Sequence, residues 1–155
     1  KGLMNFKGVQ RRFNKIFSYN GIDFYDDYAH HPTEIKVVLE GVNKVYQGFE
    51  KVCIFQPHRI SRLKDLKKEF SFAFKNADTV ILCPIFTAGE KIKLGFNYHN
   101  FAKEIIKNSK VRLFLVNDKN QLAKFLKKNM YGKKIVIGMG AGSISNWMRQ
   151  LPKLI

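Results

Sequence analysis

Acidic residues are scarce in this sequence. Only 12 Asp and Glu stand against 28 Lys and Arg, a formal net charge of +16 over 155 residues. So lopsided a field disfavours cationic partners and favours anions of any size. Cysteine is nearly absent: two residues cannot build a disulfide framework. Cys53 and Cys83 each lie in an apolar, strand-like run and read as buried free thiols of a reducing cytosol. No apolar run approaches the roughly 18–20 residues that a membrane helix needs. The first residues, Lys1-Gly2-Leu3-Met4-Asn5-Phe6, hold neither an initiator Met nor a signal peptide's apolar stretch. They read as the start of a domain cut from a longer protein. No phosphate-binding P-loop of the G-x-x-x-x-G-K-[ST] type occurs, so a main clamp for nucleotide phosphates is expected elsewhere. There is also no internal repeat, low-complexity tract or linker, which leaves one domain over residues 1–155.

What is present is an ordinary globular composition, 45% hydrophobic and 26% charged, long enough for one real core. The lysines are spread along the chain and are not interleaved with aromatics as a base-stacking platform would require, so no nucleic acid is expected as partner. Four of the six arginines fall in two pairs, Arg11-Arg12 and Arg59/Arg62. Clustered guanidinium suits bidentate recognition of small anions.

The pattern of elements alternates. Ile16–Tyr19 and Ile22–Tyr25 flank Asn20-Gly21, a strong hairpin signal because both turn residues tolerate positive φ. Pro32 opens a helix whose apolar positions Ile35, Val38, Leu39 and Val42 recur at helical spacing up to about Gly48. Val52–Gln56 reads as a strand, followed by a helix capped by Ser61, with Leu63, Leu66, Phe70, Ala73 and Phe74 on its buried face. Thr79–Cys83, Val111–Val116 and Lys134–Ile137 complete the strands, with helices over 101–107 and 121–128. A closing helix, capped by Ser143 or Ser145, follows Gly138-Met139-Gly140-Ala141-Gly142. Such alternation predicts an α/β, Rossmann-like, mostly parallel sheet with helices on both faces and an N-terminal antiparallel hairpin.

In sheets of this kind ligands gather beyond the C-terminal ends of the strands. Two unusual clusters fall there. Asp26-Asp27-Tyr28-Ala29-His30-His31-Pro32-Thr33-Glu34 follows the hairpin, and Gln56-Pro57-His58-Arg59-Ile60-Ser61-Arg62 follows the next strand. Arg59 and Arg62, three apart at a helix start, can share one anionic ligand; the alternative is a solvated first turn. Asp27 either meets a ribose hydroxyl, fixes a histidine tautomer or caps the Pro32 helix. His30 and His31 are adjacent and lack a third ligand at metal-site spacing, so no metal is assigned to them. The glycine run at 138–142 is matched equally by a phosphate-cradling turn and by a tight strand–helix connection.

Together these segments resemble the C-terminal domain of the Mur ligases. The resemblance rests on Phe6 to Phe13, Asp26 to Glu34, Phe55 to Arg62 and Ala88-Gly89-Glu90-Lys91, with a weaker match at Gly140 to Ile144. It implies an ATP-dependent, acyl-phosphate-forming ligase of bacterial peptidoglycan synthesis, acting in the cytoplasm. The Gln-Pro-His-Arg block is most similar to members that add L-alanine to UDP-N-acetylmuramate. The family's N-terminal UDP-binding and central ATPase domains are not in this sequence, and Mg2+ would be held mainly by the latter. By similarity, Arg12 and Asp27 match family residues that meet ATP phosphate and ribose. Tyr28 and His30 would line the nucleotide and amino-acid side of the cleft, while His58, Arg59 and Arg62 would hold the alanine carboxylate and order the acyl phosphate. Arg11, His31 and Glu90 fit family blocks without an assigned role. Ser143 stands where the family often has Asp, so no ligand is assigned there. Competing expectations are a ligase that recycles a ready-made tripeptide and a basic, non-catalytic nucleotide- or nucleic-acid-binding α/β module.

Overall fold

The computed structural model describes residues 11–91 and 96–155. The Phe6–Gln10 part of the first family block and the loop glycine Gly95 lie outside them. Strands β1 (Asn14–Tyr19) and β2 (Ile22–Asp27) form the expected hairpin, turning through Asn20 at φ 51° and Gly21 at φ 75°. Strands β3 (Glu50–Phe55), β4 (Thr79–Leu82), β5 (Arg112–Leu115) and β6 (Lys134–Met139) follow. The six strands order as β1-β2-β6-β3-β4-β5. Only the β1–β2 pair is antiparallel; every other pair is parallel.

Helices cover both faces. On one face, α1 (Pro32–Val45), α2 (Ile60–Asp65), α3 (Lys67–Phe72) and α4 (Tyr98–Ser109) bury Ile35, Leu39, Leu63, Phe70, Phe101 and Ile105. On the other, α5 (Lys119–Asn129) and α6 (Ile144–Gln150) bury Leu122, Leu126, Ile144 and Met148. Strand side chains alternate between these layers, so Cys53 and Phe55 join the first core and Val52 and Ile54 the second. Both thiols are fully buried, and burial pushes the Cys83 thiol up to about 12. Neither will ionise or react near neutral pH.

Register decides where the chemistry falls. Asp26 and Asp27 of β2 pair with Gly138 and Met139 of β6, which pair in turn with Ile54 and Phe55 of β3. Three strands therefore end level. The loops after β2 and β3, which carry the two clusters, are separated only by the glycine loop after β6.

Capping departs from the sequence reading in three places. His31, not Asp27, caps α1: its Nδ1 accepts from the Thr33 N–H, while Glu34 accepts from the His31 N–H. Ser61 lies inside α2 rather than ahead of it, and the single expected helix breaks at Leu66 into α2 and α3. Ser143 occupies the N-cap position of α6 without capping it through its side chain. Gln56 does that work from the end of β3, accepting from the Ile144 N–H at 2.9 Å and donating to Ser143 Oγ at 2.9 Å.

The same loop explains two glycines. Gly140 adopts φ 150°, and a Cβ there would stand 2.8 Å from the Gln56 carbonyl oxygen. A Cβ on Gly142 would stand 2.4 Å from Phe86 Cγ. Gly41, in contrast, sits mid-helix in α1 with open space around it. Two Gly→Ala substitutions should therefore act with opposite sign in a urea titration. Gly142→Ala is expected to destabilise by about 1–3 kcal/mol through overpacking. Gly41→Ala should stabilise by about 0.5–1 kcal/mol through helix propensity.

Candidate active-site edge

The first cluster is built on two adjacent buried carboxylates. Asp26 is fully buried and takes hydrogen bonds from Arg11 Nε at 3.2 Å and Ser145 Oγ at 2.8 Å. Arg149 adds a looser ion pair at 3.6 Å. Arg11 reaches onward to donate to the Gly140 carbonyl at 2.8 Å, tying the glycine loop to β2. Asp27 accepts the Phe13 N–H at 2.9 Å and the Ala29 N–H at 2.8 Å. Burial raises its carboxyl above the ordinary value, against the lowering effect of those two N–H donors.

From there a line of rings crosses the strand ends. The Arg11 guanidinium lies over Tyr28, 5.1 Å from the ring centroid. Tyr28 meets His30 edge-on at 5.0 Å, His30 meets His58 at 6.0 Å, and His58 stacks on Phe86 at 5.5 Å and 16°. Histidines from two loops thus lean together over β6.

Hydrogen-bond chemistry fixes the tautomers. Arg62 Nη1 approaches His58 Nδ1 at 3.0 Å, and a guanidinium only donates, so His58 Nδ1 accepts and the neutral ring carries its proton on Nε2. The reverse holds at His30, whose Nδ1 lies 3.0 Å from the Tyr28 carbonyl and so must donate. His58 is held below its ordinary 6.5, first by burial and then by the charges of Arg62, His30 and Arg59, with Glu90 opposing. Arg62 also donates to the His58 carbonyl at 2.9 Å. Arg59 is exposed, and its guanidinium makes no hydrogen bond among the described residues. Its backbone is unusual: φ 72°, ψ 132° at the N-cap of α2.

All seven residues singled out from the sequence line this edge, in two groups. Arg12, Asp27 and Tyr28 border an open groove of about 610 Å3 with Thr33, Glu34, Val37 and Val38. His58, Arg59 and Arg62 stand beyond His30 on the other side. His31 turns away to cap α1. Among the described residues no group of three or more His, Cys, Asp or Glu side chains is placed to hold a metal ion. Three contributors were not read from sequence: Phe86, the Arg11–Asp26 pair and the Gln56 bridge. An aromatic in a loop, such as Phe86, carries no local signal of stacking, and the other two depend on partners far along the chain.

His58 gives a pH test. A base whose folded pKa is depressed binds fewer protons folded than unfolded, so stability falls as pH drops from the ordinary 6.5 toward the folded value. In denaturant titrations at stepped pH, His58→Gln is expected to flatten the loss of stability below pH 6.5. An unchanged slope would mean that His58 is not held neutral.

Comparison with known proteins finds relatives along the whole chain. A family model for the Mur ligase, glutamate ligase domain, matches residues 11–142. The UDP-N-acetylmuramate–L-alanine ligase of Pelagibacter ubique (strain HTCC1062) is 74% identical over 155 residues, all of this chain and 33% of that protein. The enzyme of that name from Bartonella bacilliformis is 39% identical over 153 residues, 99% of this chain and 32% of its own length. The chain thus spans about a third of the length of the curated relatives it matches. Among solved structures, the UDP-N-acetylmuramate–alanine ligase of Thermotoga maritima superposes with a TM-score of 0.71 at 26% identity, over 92% of this chain and 29% of that one. A murein peptide ligase from Psychrobacter arcticus 273-4 superposes at 0.74 with 19% identity, over 98% of this chain and 31% of that one, a likeness of fold alone. With the family model covering the sheet, both clusters and the glycine loop, the chain belongs to the Mur ligase family.

Proposed function

We propose that this chain is the C-terminal domain of a bacterial, cytoplasmic ligase that uses ATP to join L-alanine to UDP-N-acetylmuramate in peptidoglycan precursor synthesis. The observation that carries this reading is the 74% identity, sustained over the whole chain, to a protein of that name. The geometry of the edge fits it. In the reaction that family membership implies, ATP phosphorylates the lactyl carboxylate, the alanine amine attacks the acyl phosphate, and phosphate leaves.

On this reading each side chain has a task. Arg59, exposed and making no side-chain hydrogen bond among the described residues, supplies a guanidinium for the alanine carboxylate, while Arg62, braced on His58, adds a second positive charge. His58, neutral with its proton on Nε2, donates one hydrogen bond to a carboxylate or phosphoryl oxygen. Tyr28 and His30 form the wall between that anion site and the groove. Arg12, exposed at the groove, meets ATP phosphate. Asp27 keeps acceptor capacity beyond its two backbone N–H partners and borders the same groove, which suits a ribose hydroxyl. By the family resemblance, the reading assigns Mg2+ mainly to the family's central ATPase domain and the UDP sugar to its N-terminal domain. Holding amine and acyl phosphate together in a closed site supplies proximity worth roughly 7–11 kcal/mol of the barrier. Closure also strengthens the guanidinium–oxyanion contacts by excluding water.

Two outcomes test it. In the full-length protein, Arg59→Ala removes a charge-assisted contact worth about 1.5–3 kcal/mol, so the KM for L-alanine should rise about 10–100-fold while that for ATP stays close to wild type. An unaltered alanine dependence removes Arg59 from the carboxylate role. The isolated chain should turn over no ATP, and measurable turnover by purified fragment would contradict the division of labour.

A further inference from the structure

The His58–Arg59 turn is held in a conformation that its own residues do not favour. A non-glycine residue at φ 72°, ψ 132° is strained and persists only where its surroundings impose it. No proline or glycine lies within the turn from His58 to Arg62, and Arg59 gives α2 no side-chain cap. What imposes the geometry comes from a single distant loop, residues 85–90. Arg59 N–H donates to the Phe86 carbonyl at 2.8 Å, and Phe86 N–H donates to the Pro57 carbonyl at 2.8 Å, a short parallel bridge beneath the His58–Phe86 stack.

The loop then reverses through Ala88 at φ 53° and Gly89 at φ 85°, closed by Glu90 N–H donating to the Thr87 carbonyl at 3.0 Å. This reversal carries the Glu90 carboxylate back to the first turn of α2. There it accepts the Ser61 N–H at 3.1 Å and the Ser61 hydroxyl. The Ile60 N–H and the Arg59 charge also face it, and with these donors they hold its carboxyl below the ordinary carboxylate range. Glu90 supplies, from 29 residues away, the cap that Arg59 does not provide.

We infer that Glu90 is a positioning residue for the amino-acid site: by capping α2 across the loop, it locks the strained Arg59 turn that aims the guanidinium at the alanine carboxylate. This rests on the proposed ligase reading and deepens it. Glu90 touches Ser61 rather than substrate, so its influence passes through Arg59. Glu90 competes with substrate for Arg59 only as a distant counter-charge, whereas its bonds to Ser61 fix the backbone from which Arg59 projects.

The experiment uses the full-length protein with two independent readouts. Hydrogen exchange by mass spectrometry compares wild type with Glu90→Ala; faster exchange confined to residues 58–66 is expected. Steady-state kinetics compares wild type, Glu90→Ala and Glu90→Gln, the last of which keeps one acceptor for the Ser61 N–H. A misaimed contact can lose up to about 100-fold; Glu90→Ala should raise the KM for L-alanine at least tenfold with the KM for ATP little changed, and Glu90→Gln should recover part of the loss. Unchanged exchange at 58–66 overturns the cap. Faster exchange with an unaltered alanine KM, or equal losses for alanine and ATP, overturns the positioning role. Wild-type protein with no alanine-dependent turnover would sink the ligase reading instead, and with it the aim assigned to Arg59, while the exchange data would still decide the cap.

Discussion

The buried carboxylate of Asp26 is the constraint on which the site edge depends. A fully buried charge is tolerable only when paired and hydrogen-bonded, and Asp26 recruits Arg11, Ser145 and Arg149 to that end. Arg11 also donates from Nη2 to the Gly140 carbonyl. One ion pair thus connects β2, the residues leading into β1, the glycine loop after β6 and the first turn of α6. Asp27 extends the arrangement by one residue, pinning Phe13 and Ala29 through their N–H groups. With both carboxylates fixed, Tyr28 and His30 leave β2 in a set direction, and the Arg11 guanidinium over Tyr28 fills the space between.

The second half of the edge is held by different means. Gln56 caps α6 from the end of β3, Phe86 stacks under His58, and Arg62 grips both the ring and the carbonyl of His58. Here the cationic surroundings have a chemical consequence. Burial and nearby guanidiniums hold the His58 pKa below its ordinary value, so the proposed anion site has a neutral N–H donor there. A field that favours anions, a neutral donor and an exposed guanidinium suit a carboxylate ligand better than a metal or a base stack. The +16 net charge therefore matters locally through four guanidiniums on one edge, and much less through the dispersed lysines.

Much of this was legible in the sequence because it is written in local code. The Asn20-Gly21 hairpin follows from backbone sterics, α1 from Pro32 and its apolar spacing, and the alternation of strands and helices from periodicity. Placement of both clusters after strands was enough to locate the edge. What could not be read depends on residues distant in the chain. The order β2-β6-β3, which sets the two clusters one strand apart, is fixed by crossovers with no local signature. Ser61 resembles a helix cap, yet its partner is Glu90, and Ser143 is relieved of capping by Gln56, 87 residues away. The break between α2 and α3 at Leu66 has no proline or glycine to announce it. Gly138–Gly142, open between a phosphate cradle and a tight connection, is accounted for by close packing against Met148, Gln56 and Phe86.

The most direct test of the central claim follows phosphate release from Mg-ATP by the full-length protein in the presence of UDP-N-acetylmuramate. One arm receives L-alanine and the other the ready-made tripeptide. Release that requires L-alanine and ignores the tripeptide is the expected result on the proposed reading, in which His58, Arg59 and Arg62 hold the alanine carboxylate. Release only with the tripeptide, or none in either arm from folded protein, would contradict the assignment of His58, Arg59 and Arg62 to alanine.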